Sequence, residues 1–412
     1  MNDRQSSRSA VRRIALARAI SIAGGAASFT ALMFAVYERT HHDPLWLAAA
    51  LILTFGMNGV LGWFAGALGD RFDRRRVMIV SDLAGACVFA AAAFVHDPGL
   101  LLVCGFLAAV AESPFWSASG AAIPALVDDP KDIEHANSLV AIGVNTGIFL
   151  GPAVGGLLIG AVGANAIFGA NAVSFVLSAA LIWSVRRPFH ERETSEHTDE
   201  HRGVWAGIRF IASDDVLRRI LIASSVMVVF IGLVMVSDLP LVHAFYGRPD
   251  DIGRGYGILI ACWGLGSVAG SFLARRLSER NEIRWLIVTN GGFALSLIFQ
   301  GASPWFVLML GFVFLNGTCD AVSIVAVRSI HQRRAPDIVR SRVMAAQDAA
   351  SNLGVAIGYA IAAPLVAAVG PRLVYIGAGV GTLGSTALLL RLRRLRTQTD
   401  VEGTVGMEGE LA

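Results

Sequence analysis

Apolar residues along this chain gather into long continuous runs, separated by charged residues or by short breaks of turn residues. The runs lie near 15–37, 45–68, 77–95, 99–125, 138–161, 164–185, 216–240, 254–274, 284–302, 304–327, 343–368 and 372–390. Each is about 18–25 residues long, and about twenty apolar residues cross a bilayer as one helix. The pattern therefore predicts twelve membrane-spanning helices. Unbroken runs of this length do not fit the alternating, roughly ten-residue strands of a membrane barrel. The first run follows Arg12 and Arg13 but is longer than the roughly 7–15-residue core of a cleaved signal, so it reads as the first span.

Charge then orients the spans. With the N-terminus in the cytoplasm, the outer connections hold only Arg39, Arg248, Arg254 and Arg372. The inner ones hold the groups at 71–76, 186–187, 275–284, 328–342 and 391–396. Short loops rich in arginine stay inside, so both termini are expected in the cytoplasm of a multi-pass cell-membrane protein. The longest hydrophilic stretch divides the chain into a six-helix half at 1–185, a linker at 186–215 and a second half at 216–392. The linker is acidic first, then amphipathic through Trp205, Ile208, Phe210 and Ile211, which suits a short helix on the membrane surface. A disordered cytoplasmic tail is expected over 393–412.

Composition agrees and removes other classes. Of 412 residues, 55% are apolar and 16% charged, against about 45–50% and 25% in soluble domains. A net charge of +3 gives no reason to expect nucleic acid as a partner. Cys87, Cys104, Cys262 and Cys319 fall inside apolar runs and read as small buried hydrophobes. The histidines lie in connections or at run ends, with no metal-binding spacing. No metal and no cofactor are expected. A multispan enzyme would need a nucleophile with its base, or a metal cluster, at one interface; neither is present, and the chain does not read as an enzyme.

Three motifs carry more information. After the second run comes Gly66-Ala-Leu68-Gly-Asp70-Arg71-Phe-Asp73-Arg74-Arg75-Arg76, in which glycines allow close helix approach and arginines stay in the aqueous interface. The fifth run holds Gly147, Gly151, Pro152, Gly155 and Gly156. Asn145, Gly147, Gly151 and Ala153 recur as Asn352, Gly354, Gly358 and Ala360 at a constant offset of 207, the mark of two related halves around a central cavity.

The first motif resembles the loop between helices two and three of the major facilitator superfamily, where it acts as a cytoplasmic gate. That resemblance implies gate roles for Gly66, Leu68, Asp70, Arg71, Arg74 and Arg75, with Asp348 as a partner at the start of the eleventh run. The glycines and Pro152 of the fifth run resemble the motif of the superfamily's proton-driven exporters, which bends a helix and packs it tightly. Ser138 stands where the longer form of that motif has glycine. Together with Ile123-Pro124, Ala136-Asn137-Ser138-Leu139 and Asn171-Ala-Val-Ser174-Phe175, these residues resemble the enterobactin-exporter and macrolide-efflux branch.

An ionisable group at membrane depth is costly, so it marks function by default. Glu112 and Asp320 lie deep in their runs and are the candidate proton-coupling or cargo-binding carboxylates. Structural bonding to Ser113 or Asn316 is the plain alternative. Arg18 is a third candidate, unless it snorkels to the surface. Asp82, Asp238 and Asp348 lie nearer run ends and suggest solvated or interhelical pairing. Phe115, Trp116, Trp263 and Phe293 are candidate cavity aromatics. The expected function is efflux of a small amphipathic or hydrophobic compound, such as a drug or siderophore-like molecule, in exchange for protons. This would be a multidrug-resistance type of antiporter, working as a monomer among membrane lipids. A metabolite uptake permease is the alternative.

Overall fold

The computed structural model describes residues 2–56, 72–127, 133–185, 200–246 and 249–409. Among them, the regular elements are helical. They are α1 (Asn2–Arg39), α2 (Pro44–Leu51, continued by a π turn over Ile52–Gly56), α3 (Arg74–Ala92), α4 (Pro98–Leu126) and α5 (Ile133–Trp183). Then come α6 (Glu200–Ser213), α7 (Asp215–His243), α8 (Pro249–Ala274), α9 (Glu282–Ala302), α10 (Phe306–Arg334), α11 (Asp337–Val369) and α12 (Pro371–Gly409).

Local chemistry starts these helices where they start. Pro44, Pro98, Pro249 and Pro371 each occupy a first helical position, where proline loses no hydrogen bond and its φ is already helical. Asp43 accepts from the Leu45 amide at 2.9 Å, Asp73 from Arg76 at 3.0 Å and Asp97 from Leu100 at 2.8 Å. Such caps satisfy amide donors that have no partner inside the helix.

Nine helices among the described residues are long and apolar enough to cross a membrane. One of these candidates, Ser138–Trp183, holds two of the expected runs and is broken at Gly163 (φ 77°, ψ 163°). Half of the second expected run, 57–68, lies outside the described residues. The third is α3, whose Arg74, Arg75, Arg76 and Asp82 dilute its hydropathy. Large apolar side chains such as Val80, Leu83, Val173 and Leu265 are exposed, as surfaces solvated by lipid tails require.

The chain forms two compact units. The first holds Met1–Ser195 and Asp238–Ala261; the second holds Glu196–Ser237 and Cys262–Ala412. In the first unit α1 packs along α5, and α3 packs between α4 and α5. Ile14, Met78, Phe115, Leu126 and Ile182 are among the buried residues of one core cluster there. In the second, α9 packs against α10 and α12. The amphipathic α6 does not lie by itself on a surface. Ile211 is 1% exposed, within a cluster that includes Leu217, Leu286 and Val343, and Gly207 abuts the Arg342 carbonyl on α11. Helix α12 continues through Arg396 to Gly409, where the sequence suggests a disordered tail.

Three smaller expectations change. Cys319 is buried, but Cys87 is exposed and Cys104 and Cys262 are partly so, because an apolar run also has a lipid-facing side. His331 lies within α10 and is fully buried, its Nδ1 2.7 Å from the Val327 carbonyl, because the helix runs seven residues past the apolar stretch. Asp82 is 1% exposed, eight residues inside α3, rather than near a solvated end.

Candidate functional site

The glycines of the fifth run pack α5 against α1. A Cβ placed on Gly143 would lie 3.0 Å from the Ala15 carbonyl oxygen, and one on Gly147 3.1 Å from that of Ala19. On Gly151 it would lie 2.5 Å from the Ala23 oxygen, and on Gly155 2.7 Å from that of Ala27. Four successive turns of α5 thus rest on four of α1, as small-residue stripes allow. Gly156, on another side of α5, meets Gly257 backbone to backbone. Pro152 is buried within α5, and the residue that leaves helical geometry there is Gly163.

The second unit repeats the contact. Gly354 and Gly358 of α11 rest on the carbonyls of Ser225 and Val229 of α7. The correspondence extends past the motif. Gly163 and Gly370 are the positive-φ glycines among the described residues, at φ 77° and 80°, and they stand 207 positions apart.

Gly66, Leu68, Asp70 and Arg71 lie outside the described residues. Of the rest of that motif, Asp73 caps α3 and Arg75 donates to the Trp183 carbonyl. Arg13 donates to the neighbouring Ser184 carbonyl at 2.9 Å. Two guanidinium groups therefore meet the negative end of α5, where cations are favoured. At other helix ends Arg39 donates to the Val95 carbonyl after α3 (2.9 Å), and Arg372 to the Ser303 carbonyl after α9 (2.6 Å). Asp348 is exposed on α11.

The first unit gathers the polar groups at membrane depth. Arg18 is 7% exposed, with its guanidinium 5.2 Å from the centre of the Trp116 ring. It does not snorkel. Glu112, one turn before Trp116, is partly buried, and its oxygens lie 3.8 and 3.9 Å from where a Cβ of Gly25 would stand. Among the described residues neither Arg18 nor Glu112 has a hydrogen-bond or ion-pair partner. Asp82 of α3 stands beside Ser178 of α5 and within the electrostatic reach of Glu112. Neither of its buried oxygens makes a well-formed hydrogen bond. Asn171 is 1% exposed; it accepts from Ser174 at 2.9 Å and faces Gly24.

Asp82 is the member of this group that run-end reasoning misses. Its neighbours Gly85 and Ala86 carried the signal. Small residues mark the face that α3 packs on α5, where a Cβ on Gly85 would sit in ordinary contact, 3.4 Å, with the Phe175 ring.

In the second unit Asp320 is partly buried on α10. Asn316 does not bond to it; its amide donates to Ser296 at 3.0 Å. Thr289 pairs with Ser323 (2.8 Å), and Thr386 donates to Asn290 (2.9 Å). These groups satisfy one another and leave Asp320 without a hydrogen-bond partner among the described residues. Phe115 and Phe293 are buried core rings at 4% exposure, whereas Trp116 is 45% exposed.

Long apolar helices, glycine-packed seams and charges at membrane depth without a partner among the described residues are the equipment of a multi-pass transporter of the major facilitator class. More narrowly, the chain belongs to the transmembrane secretion effector family, whose profile it matches over residues 47–403. It is a membrane transporter, not an enzyme. It is 26% identical over 407 residues to the enterobactin exporter EntS of Shigella boydii serotype 4 (strain Sb227), covering 94% of this chain and 93% of that one. It is 24% identical over 355 residues to the MFS-type transporter YfiS of Bacillus subtilis (strain 168), covering 83% of each. Among solved structures, the nucleoside transporter NupG aligns with a TM-score of 0.76 at 13% identity, over 93% of this chain and 98% of that one. A bacterial homologue of the lysosomal transporter Spinster, inward-facing and occupied, aligns with a TM-score of 0.69 at 12% identity, over 91% and 96%. The last two likenesses speak for the fold alone.

Proposed function

We propose that this chain is a proton-coupled exporter of small amphipathic or hydrophobic compounds, working by alternating access. The observation that carries the reading is a carboxylate deep in each unit, Glu112 and Asp320, without a partner among the described residues. An exchanger needs a group that binds a proton in one state and releases it in the other, and a carboxylate already satisfied by an arginine or an amide serves poorly. Similarity to an enterobactin exporter supports the outward direction.

The reading includes twelve spans in two six-helix halves joined by the 186–215 linker, both termini cytoplasmic, with one chain sufficient for transport among membrane lipids. In a background lacking the four native cysteines, cysteine replacing Asp97 should react with a membrane-impermeant reagent in intact cells, and cysteine replacing the exposed Gln332 should not; the reverse would overturn the topology. Asp70 and Arg71, with Asp348, are read as a cytoplasmic gate. Asp70→Asn should reach the membrane and turn over more slowly, and wild-type transport rates at equal expression would remove that role.

Everted membrane vesicles test the function directly, using compounds to which a deletion strain becomes sensitive. With the lumen acidified, the exporter should concentrate such a compound inside, and a protonophore should release it. Accumulation that ignores the protonophore, or that occurs only in right-side-out vesicles, would overturn the reading in favour of uptake or a different driving force.

A further inference from the structure

We propose that Arg18 and Trp116 form the recognition point for an acidic group on the cargo, and that the site takes planar aromatic carboxylates. The inference deepens the exporter reading by naming a substrate class, and it rests on that reading only for the direction of transport.

A guanidinium at membrane depth with no counter-charge is expensive, and proteins normally pair it. Arg18 is more than nine-tenths buried, yet no described carboxylate reaches it and its Nε has no hydrogen-bond partner. The surrounding residues are held close without neutralising it. Ile14, Ala15 and Ala17 on its own helix are buried and apolar, as are Phe115 and Ala118 across the seam. Other arginines of the first unit are treated differently. Arg13, Arg39 and Arg75 each donate to a carbonyl at a helix end. Among these four, Arg18 is the one whose guanidinium stands over an aromatic ring and donates to no carbonyl among the described residues.

The geometry suits a two-part ligand. A guanidinium presents a planar fork that binds a carboxylate through two parallel hydrogen bonds. Trp116 remains 45% exposed while Arg18 stands over it, so the indole also offers surface for ring stacking. Gly24 and Gly25 of α1 add no side chain to the seam, and Glu112 faces Gly25 from the same side of α4. A flat ring bearing a carboxylate fills both needs at once.

The test is binding to the purified full chain in detergent, followed by thermal unfolding, with sodium 2-naphthoate, 2-naphthamide and sodium sulfate as probes. Naphthoate should raise the melting temperature of the wild type, while naphthamide and sulfate should not. Arg18→Lys keeps the charge but loses the planar fork and should bind naphthoate roughly tenfold more weakly. Arg18→Met should abolish the naphthoate shift and, because it removes an unpaired buried charge, raise the melting temperature of the unliganded protein. Equal protection by sulfate, no protection of the wild type by naphthoate, or a lowered melting temperature in Arg18→Met would each overturn the proposal. No ion gradient enters the measurement. A naphthoate shift that depends on Arg18, alongside vesicles that fail to export, would remove the exporter reading and leave this site standing.

Discussion

Gly358→Val is expected to leave little folded transporter. The Val229 carbonyl already occupies the space a Cβ would need, and the Gly232 backbone lies 2.8 Å from the same point. Both obstacles are main chain, so no flexible side chain can swing aside, and α11 must move off α7. Overpacking a well-packed core typically costs about 1–3 kcal/mol and occasionally more. A glycine seam between helices belongs at the upper end, because displacement at one turn loosens the turns beside it. Gly151→Val should act similarly through the Ala23 carbonyl on α1. Gly384→Ala on α12 is the control, since nothing lies within 4 Å of its Cβ position. It should be neutral or stabilise by about 0.5–1 kcal/mol, the usual gain from alanine inside a helix. Size-exclusion profiles and melting temperatures of the three variants would check this, and a Gly358→Val protein as stable as wild type would discredit the packing account.

The second large effect concerns coupling. One elementary charge crossing 100 mV is worth about 2.3 kcal/mol, which sustains a concentration ratio of about fiftyfold. Glu112→Gln and Asp320→Asn keep size and hydrogen-bonding capacity but cannot ionise. If either carboxylate carries the proton, its variant should reach the membrane and exchange labelled for unlabelled compound downhill, while its accumulation ratio falls to about one. Measuring both quantities on the same vesicles separates coupling from folding. Full accumulation in both variants would leave Asp82 as the next carboxylate to test, since it is buried within electrostatic reach of Glu112.

The two kinds of feature differ in how far they can be read from sequence. Helices are legible because each run is long enough to satisfy its own backbone in lipid, whatever its neighbours do. The seam glycines are legible too, since close approach leaves a period of four residues, as at Gly143, Gly147, Gly151 and Gly155. Burial of a single polar side chain is not a property of its own run. Asp82 and Arg18 were hidden because their surroundings come from other helices. The Phe175 ring of α5 packs at Gly85 of α3, and Trp116 of α4 lies against Arg18 of α1. The alternative in which Asn316 bonds Asp320 fails for the same reason: its amide donates to Ser296, on α9 and twenty positions earlier. Distance along a run estimates depth, but only packing decides which side of a helix is dry.

Gly163 and Gly370 give the chain two corners made of a single residue. Neither has anything within 4 Å of its Cβ position, so alanine there meets only backbone strain, not a clash. An inserted residue is another matter. With no connecting loop to absorb it, an added amino acid must rotate one whole helix about its axis and turn the seam glycines away from their partners. For anyone placing an epitope, a fluorescent protein or a circular-permutation break in this transporter, these corners look like convenient surface turns and are the wrong choice.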